Sequence, residues 1–428
     1  MKISIADIKR YNTPVDETVI YNPLALVAKA KGSQIWIKEQ KKPYLDLLMS
    51  YSSTNFGHAN KNILKFVITA AEKVDNIIAF NSTSKVELSK KLVELLPHPG
   101  NKVPYFPVGG TKAIDAAIKL AKAYTKKDTI IAFSGAFHGY SYAAMSVTDS
   151  GYVEKSQFGT YPGKVKFFPF PHRLAENAQE VMKNTLISIE AYLNTNHKKI
   201  AAILFEPIQG ASGFIIPPDN FLPELIRIAK KYHAVTICDE IQTGVCRTGT
   251  FYYINQVGID PDIVLLSKSL AGGYYPLSAV IANRELHEAI NNKHSGFDST
   301  FGTNLFGIEI ANNVVSYIND NKISEVVNKT GEYFFSEFKE MTRKFAFIKD
   351  LDHIGMAYGY RIDAGSKKLK DSSLLAKQIK KEAFKNHLII QTAGVNGDHM
   401  KLAPNFFIKK REIQLAMQKL SKVFQKFV

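Results

Sequence analysis

The sequence predicts an α/β protein: a large unit on a mainly parallel central sheet flanked by helices, plus a smaller α+β unit drawn from both chain ends. Three observations lead there. From about Ser52, short apolar runs alternate with helix-length segments, the pattern of βαβ units. Two of those runs end in a single charged side chain, Asp239 and Lys268. After about Asn304 the texture changes to a long helical stretch over 306–317, then amphipathic helices and short strands. The boundaries expected are 1–57 for an N-terminal segment of the smaller unit, 58–303 for the large unit and 304–428 for the remainder.

The elements follow in order. Strand-like pieces over 34–39 and 43–48 flank a Lys41-Lys42 turn. Helices are predicted over 60–74, 84–96 and 111–124; in the last, Ile114, Ala117, Ile118 and Ala121 share one face. Apolar strands are predicted over 129–133, 164–167, 200–205, 234–238 and 263–266. There are no internal repeats and no low-complexity linkers, and 428 residues exceed one ordinary compact core.

Composition is that of a globular chain, 45% apolar and 22% charged. Its cysteines are Cys238 and Cys246, which fits a reducing compartment rather than a disulfide framework. No His/Cys spacing reads as a metal site, so no metal is expected. The opening MKISIADIKRYNTP lacks an apolar signal core, and no apolar run is long enough to span a bilayer. A cytoplasmic protein with no membrane partner is the expectation. The net charge of +16 comes from scattered lysines without a nucleic-acid motif, the pattern of a solvated basic surface. No nucleic-acid partner is expected.

The stretch 236–276 carries the most chemistry. Two parallel strands that each deliver one charged residue at the carboxyl end are where open α/β folds build sites. An acid and a lysine placed there suit pyridoxal 5'-phosphate: the lysine forms a Schiff base and the acid pairs with the pyridinium nitrogen. A Mg²⁺ role for Asp239 would need a GxxxxGK[ST] loop, which is absent. Lys268 precedes the small-residue loop Ala271-Gly272-Gly273, which argues against a mere surface lysine. Gly109-Gly110-Thr111 before a helix reads either as an anion cradle or as an ordinary N-cap. Phe137 reads as a ring-stacking residue or as core, and His138 as a loop hydrogen-bonder.

FHG, EPIQG, DEIQTGVCRTG, LLSKSLAGG and STFGTN stand in this order and at these separations. That set resembles the class III aminotransferases of PLP fold type I over nearly the whole chain. The resemblance implies that Lys268 and Asp239 are catalytic, with Lys268 bonded to pyridoxal 5'-phosphate and Asp239 on its ring nitrogen. It implies that Gln242 contacts the 3'-oxygen, that Gly110 and Thr111 form the phosphate cup, and that Phe137 lies over the ring beside His138. Glu206 is typical of the family, in a role that can be structural. Thr300 matches a threonine that reaches the neighbouring subunit's cofactor phosphate, which implies a homodimer with a shared site.

Four positions depart from that pattern: Lys112 stands for a glutamate, Leu305 for a proline, Ala211 for a second glutamate and Lys401 for an arginine. Ala211 and Lys401 together remove a glutamate–arginine pair that resembles the ornithine- and GABA-type members. The texture LIIQTAG…KLAP is most similar to 2,4-diaminobutyrate-type members. Lys401 is therefore the expected substrate-carboxylate contact, against the alternative of a surface lysine. The activity implied is transfer of the terminal amine of a diamino or ω-amino acid to 2-oxoglutarate or pyruvate. Racemisation, epimerisation or amine migration by the same chemistry is the alternative. A third reading, a basic nucleic-acid-binding or regulatory protein on a degenerate scaffold, conflicts with the full set of cofactor residues.

Overall fold

The computed structural model describes residues 25–77, 80–151, 154–290, 296–297, 299–365 and 369–428, together with Asp7, Arg10 and Tyr11. Apart from those three residues, the opening segment over 1–14 lies outside the described part.

Strands β1 (Val27–Lys31), β2 (Gln34–Ile37) and β3 (Tyr44–Asp46) lead into helices α1 (Lys61–Lys73) and α2 (Thr83–Glu94). Next come β4 (Lys102–Tyr105), α3 (Gly110–Thr125), β5 (Thr129–Phe133), β6 (Lys164–Phe168), α4 (Ala178–Asn196) and β7 (Ile200–Phe205). The chain continues through α5 (Phe221–Lys231), β8 (Val235–Asp239), β9 (Ile263–Leu266) and β10 (Ala279–Asn283). Helices α6 (Leu305–Asp320) and α7 (Ile323–Thr342) precede β11 (Ile348–Ile354), β12 (Ala357–Ile362) and α8 (Leu369–Lys385). The last elements are β13 (Leu388–Ile389), β14 (Gln391–Ala393), β15 (His399–Leu402) and α9 (Lys410–Phe424).

The central sheet runs β4-β10-β9-β8-β7-β5-β6. Strands β6, β5, β7, β8 and β9 are mutually parallel, as the βαβ pattern requires. Each residue of β5, β7, β8 and β9 is buried, because helices cover both faces. One face packs on α3 through Ala113, Ile114, Ala117, Ile118 and Ala121, against Ile130, Leu204, Ile237 and Leu265. The five strands predicted for this sheet appear within a residue of expectation, while the pieces expected over 34–39 and 43–48 shorten to β2 and β3. Two more were not expected: β10 pairs antiparallel with both β9 and β4. β4 carries Pro104, tolerable because this strand lies at the sheet edge.

Two smaller sheets close the molecule. One, β1-β2-β3-β13, joins the chain ends, with Leu388 and Ile389 beside Leu45 and Asp46 in parallel register. The other is β11-β12-β15-β14. Between β3 and α1 the chain makes a left-handed turn: Met49, Ser50, Tyr51 and Ser52 have φ of 47°, 48°, 56° and 70°. Left-handed backbone costs L-residues about 1–2 kcal/mol each. Asp46 Oδ1 offsets part of that by accepting the amides of Leu48 and Met49 at 2.8 and 3.0 Å.

Candidate active site

The cleft opens at the carboxyl ends of β8 and β9, with a volume of about 400 Å³. Adjacency of the strands brings Asp239 beside Leu265, so Asp239 and the Lys268 that follows β9 enter the same space. Lys268 itself has φ 46°, and the chain then turns through Gly272 and Gly273 at φ 66° and 83°. Glycine is required at both. A Cβ on Gly272 would lie 2.3 Å from Ile63 Cγ2, and one on Gly273 would lie 2.6 Å from the Ser53 carbonyl.

Asp239 is buried and both its oxygens are occupied. Oδ1 accepts the Ile241 amide at 3.0 Å, and Oδ2 lies 2.7 Å from His138 Nδ1. With the carboxylate ionised, Nδ1 is the donor. His138 Nε2 is buried without a hydrogen-bond partner. Glu206, also buried, accepts the Phe137 amide at 2.9 Å and the Gly210 amide at 2.9 Å. Burial, then the Asp239 charge, raises its pKa despite His138 and those two amides. Burial lowers the Lys268 amine to about 8, against the opposing pull of Glu206 and Asp239 and with a smaller contribution from Arg247.

Gly109, with φ 81°, is the N-cap of α3 and makes no side-chain cap; together with Gly110 and Thr111 it lines the cleft. Gly139, with φ 129°, closes the cradle: a Cβ there would lie 2.3 Å from Thr111 Oγ1. Gly109 is thus an N-cap, as the plainer reading has it, and the turn it caps also lines the cleft.

All eight residues from Gly110, Thr111, Phe137, His138, Glu206, Asp239, Gln242 and Lys268 line this one cleft. His138 is the loop hydrogen-bonder expected, and the partner of its buried ring is Asp239. Thr300 is not among the lining residues; it is exposed, and its carbonyl accepts from Asn76 Nδ2 at 3.0 Å. Lys401 lies behind the wall and is buried, so it is no surface lysine. Its Nζ donates to the Gly210 carbonyl at 3.1 Å and sits 5.5 Å from the centre of the Tyr51 ring. Burial, then the Lys268 charge, lowers its pKa to about 7, with Glu206 opposing.

Sequence reasoning missed Ser53, Ser267, Tyr274, Tyr275 and Pro276 in the lining. The Gly-Gly-Tyr-Tyr-Pro run after Lys268 was a usable signal for the last three. Nothing local announces Ser53 or the Tyr51 turn, which depend on contacts with the far end of the chain. Among the described residues no cluster could hold a metal ion, and no helix is long and apolar enough to cross a membrane.

These residues fit pyridoxal 5'-phosphate: a glycine cradle that a Cβ would fill, an aromatic at the mouth, a buried carboxylate and a lysine with lowered proton affinity. The family model for class III aminotransferases matches residues 17–424. The chain belongs to this family. The class III aminotransferases are pyridoxal-phosphate enzymes, and this chain is one of them. It is 30% identical over 409 residues to the acetylornithine aminotransferase of Methanothermobacter thermautotrophicus, covering 95% of each chain. It is 26% identical over 426 residues to the leucine/methionine racemase of Thermococcus litoralis, covering 97% of this chain and 94% of that one. Its fold matches an omega-transaminase from Thermomicrobium roseum with a TM-score of 0.88 at 23% identity, over 100% of both chains.

Proposed function

We propose that this class III aminotransferase moves the terminal amine of a diamino or ω-amino acid, of 2,4-diaminobutyrate type, to a 2-oxo acid such as 2-oxoglutarate or pyruvate. The observation that carries this reading is the pair formed by Ala211 and Lys401. Both are buried behind the Lys268 cleft, and Lys401 is tied to the carbonyl of Gly210, next to Ala211. A substrate whose amine reaches Lys268 would have its carboxylate drawn toward the charge that Lys401 holds behind Gly210. A lysine acts there as a point charge, where an arginine would offer a rigid fork. The acetylornithine aminotransferase relative, named for a diamino-acid derivative, supports the donor class.

Bound pyridoxal phosphate supplies an electron sink for negative charge on the substrate carbon. In our reading Gly110 and Thr111 would hold its phosphate, Phe137 and Gln242 would contact its ring and phenolic oxygen, and Asp239 would keep its ring nitrogen protonated. His138 and the Ile241 amide orient that carboxylate. Glu206 fixes the loop behind Phe137 through two backbone amides. Lys268 Nζ, once the substrate amine has taken its place, removes the proton from the substrate carbon as general base and later returns a proton as general acid. A pKa of about 8 keeps both forms populated near neutrality. We read the exposed Thr300 as serving a second copy of the chain, which makes the site one shared across a homodimer.

A panel of amines scored by half-reaction absorbance tests the donor class. Diamino and ω-amino acids should convert the coenzyme to its amine form; conversion only by 2-amino acids would refute the reading. Lys401→Arg and Lys401→Ala sharpen it. Both should raise KM for carboxylate-bearing donors, Ala by roughly tenfold, and leave a carboxylate-free amine unaffected. The racemase relative favours a second reading, in which Lys268 returns the proton to the same carbon. Exchange of the substrate's carbon-bound hydrogen with no oxo acid consumed would select it.

A further inference from the structure

We infer that Arg247 is a positioning residue for Lys268: a guanidinium, sealed where three chain segments meet, that favours the neutral lysine amine and braces the backbone next to it. The inference rests on the proposed role of Lys268 and assigns a task to a residue that does not touch the cleft.

Arg247 is fully buried, in the loop after Asp239, where Val245 and Cys246 have φ of 54° and 66°. Its Nη1 donates to the carbonyls of Met356 and Pro404 at 2.8 Å each. Its Nη2 donates to Asn55 Oδ1, and the Phe406 ring lies 5.0 Å below the guanidinium. Its own carbonyl accepts the Met356 amide at 3.0 Å. Every one of these partners is neutral, and among the described residues no carboxylate pairs with Arg247. An arginine meant only as a clamp would gain more from an acid, because a buried charge without a counter-ion is costly. Its field is therefore left unneutralised in a low-dielectric interior.

The same residue connects to Lys268 through the backbone. The Asn55 amide donates to Ser269 Oγ at 3.2 Å, and Ser269 Oγ donates to the Ser52 carbonyl at 2.9 Å. Ser269 immediately follows Lys268, whose φ of 46° is one that L-residues rarely keep without restraint. Four charged groups face the lysine. Glu206 and Asp239 raise its proton affinity, Arg247 lowers it, and Lys401 lies close enough to be repelled by it. Burial lowers Arg247 itself to about 9, with Tyr358 opposing.

The test reads Lys268 directly. Protein loaded with pyridoxamine 5'-phosphate, in which the lysine is free, is labelled with an amine-directed acylating reagent across a pH series, and the label at Lys268 is quantified by mass spectrometry. Arg247→Met removes the charge, and Asn55→Asp cancels it by an isosteric change that keeps the contacts. In both, the labelling midpoint should move to higher pH and labelling at neutral pH should slow several-fold. Arg247→Lys keeps the charge and should keep the midpoint while lowering the melting temperature. If Arg247→Met fails to fold, Asn55→Asp decides. An unchanged midpoint in Asn55→Asp, or equal shifts in the Met and Lys variants, would reduce Arg247 to a clamp and overturn the inference. Whether Lys268 is the cofactor lysine is read separately, from cofactor retention in Lys268→Ala.

Discussion

Asp239 and Lys268 reach the cleft from neighbouring strands of one sheet and stand close together in the chain, each at the end of an apolar run. Tyr51 and Lys401, behind the opposite wall, come from the two ends of the sequence and meet only because the smaller sheets bring β3 to β13 and β15 to β12. The first region is rigid, fully buried sheet. The second rests on a strained left-handed turn and on a lysine held by a carbonyl. In the proposed function, cofactor chemistry would sit on the part that is hardest to deform, and substrate choice on the part that sequence change can reshape.

The largest effect that could break this division is Lys268→Ala. Loss of the general base should cost on the order of 10²–10⁴-fold in half-reaction rate, measured by rapid-mixing absorbance. In the parent protein the rate-limiting proton removal should gain tenfold per pH unit up to about pH 8 and level off above it, because the neutral amine is the active form. A flat profile from acid to neutral pH would contradict that.

Asp239→Asn should follow, with a loss on the order of 10²–10³-fold in turnover, because it removes the charge that stabilises the protonated ring nitrogen. Retained turnover with Asn would move the electrostatic burden elsewhere. His138→Ala deletes the 2.7 Å bond to Asp239 and empties a buried position. It should cost about 1–3 kcal/mol, read as roughly a fivefold to 150-fold drop in kcat with KM little changed.

Asp239, Lys268 and the Gly110–Thr111 turn were legible in the sequence because each is local: a strand end, a turn residue or a helix start beside its own apolar pattern. The five parallel strands were legible for the same reason. The His138–Asp239 contact was not, since the two residues are 101 positions apart and meet through sheet order. Strands β4 and β10 escaped because a proline-bearing edge strand and a short antiparallel return carry no βαβ signature. The left-handed turn at 49–52 contains no glycine to announce it, and its restraint by Asp46 exists only once β3 is folded.

The smallest effect sharpens the other side of the comparison. Ser50 is exposed, has φ 48° and carries its strain on backbone alone. Ser50→Gly should stabilise the protein by roughly 0.5–1 kcal/mol, the relief of a left-handed residue less the added chain entropy. Thermal unfolding would register it as a rise of a few degrees or less. A fall would mean that the turn is held by the serine side chain.

One measurement bears on the account most directly. Protein incubated with pyridoxal 5'-phosphate is reduced with borohydride, digested and mapped by mass spectrometry. One stoichiometric pyridoxyl adduct is expected, on Lys268, and it should be lost with the visible absorbance band in Lys268→Ala. An adduct on Lys401, or one spread over surface lysines, would contradict it.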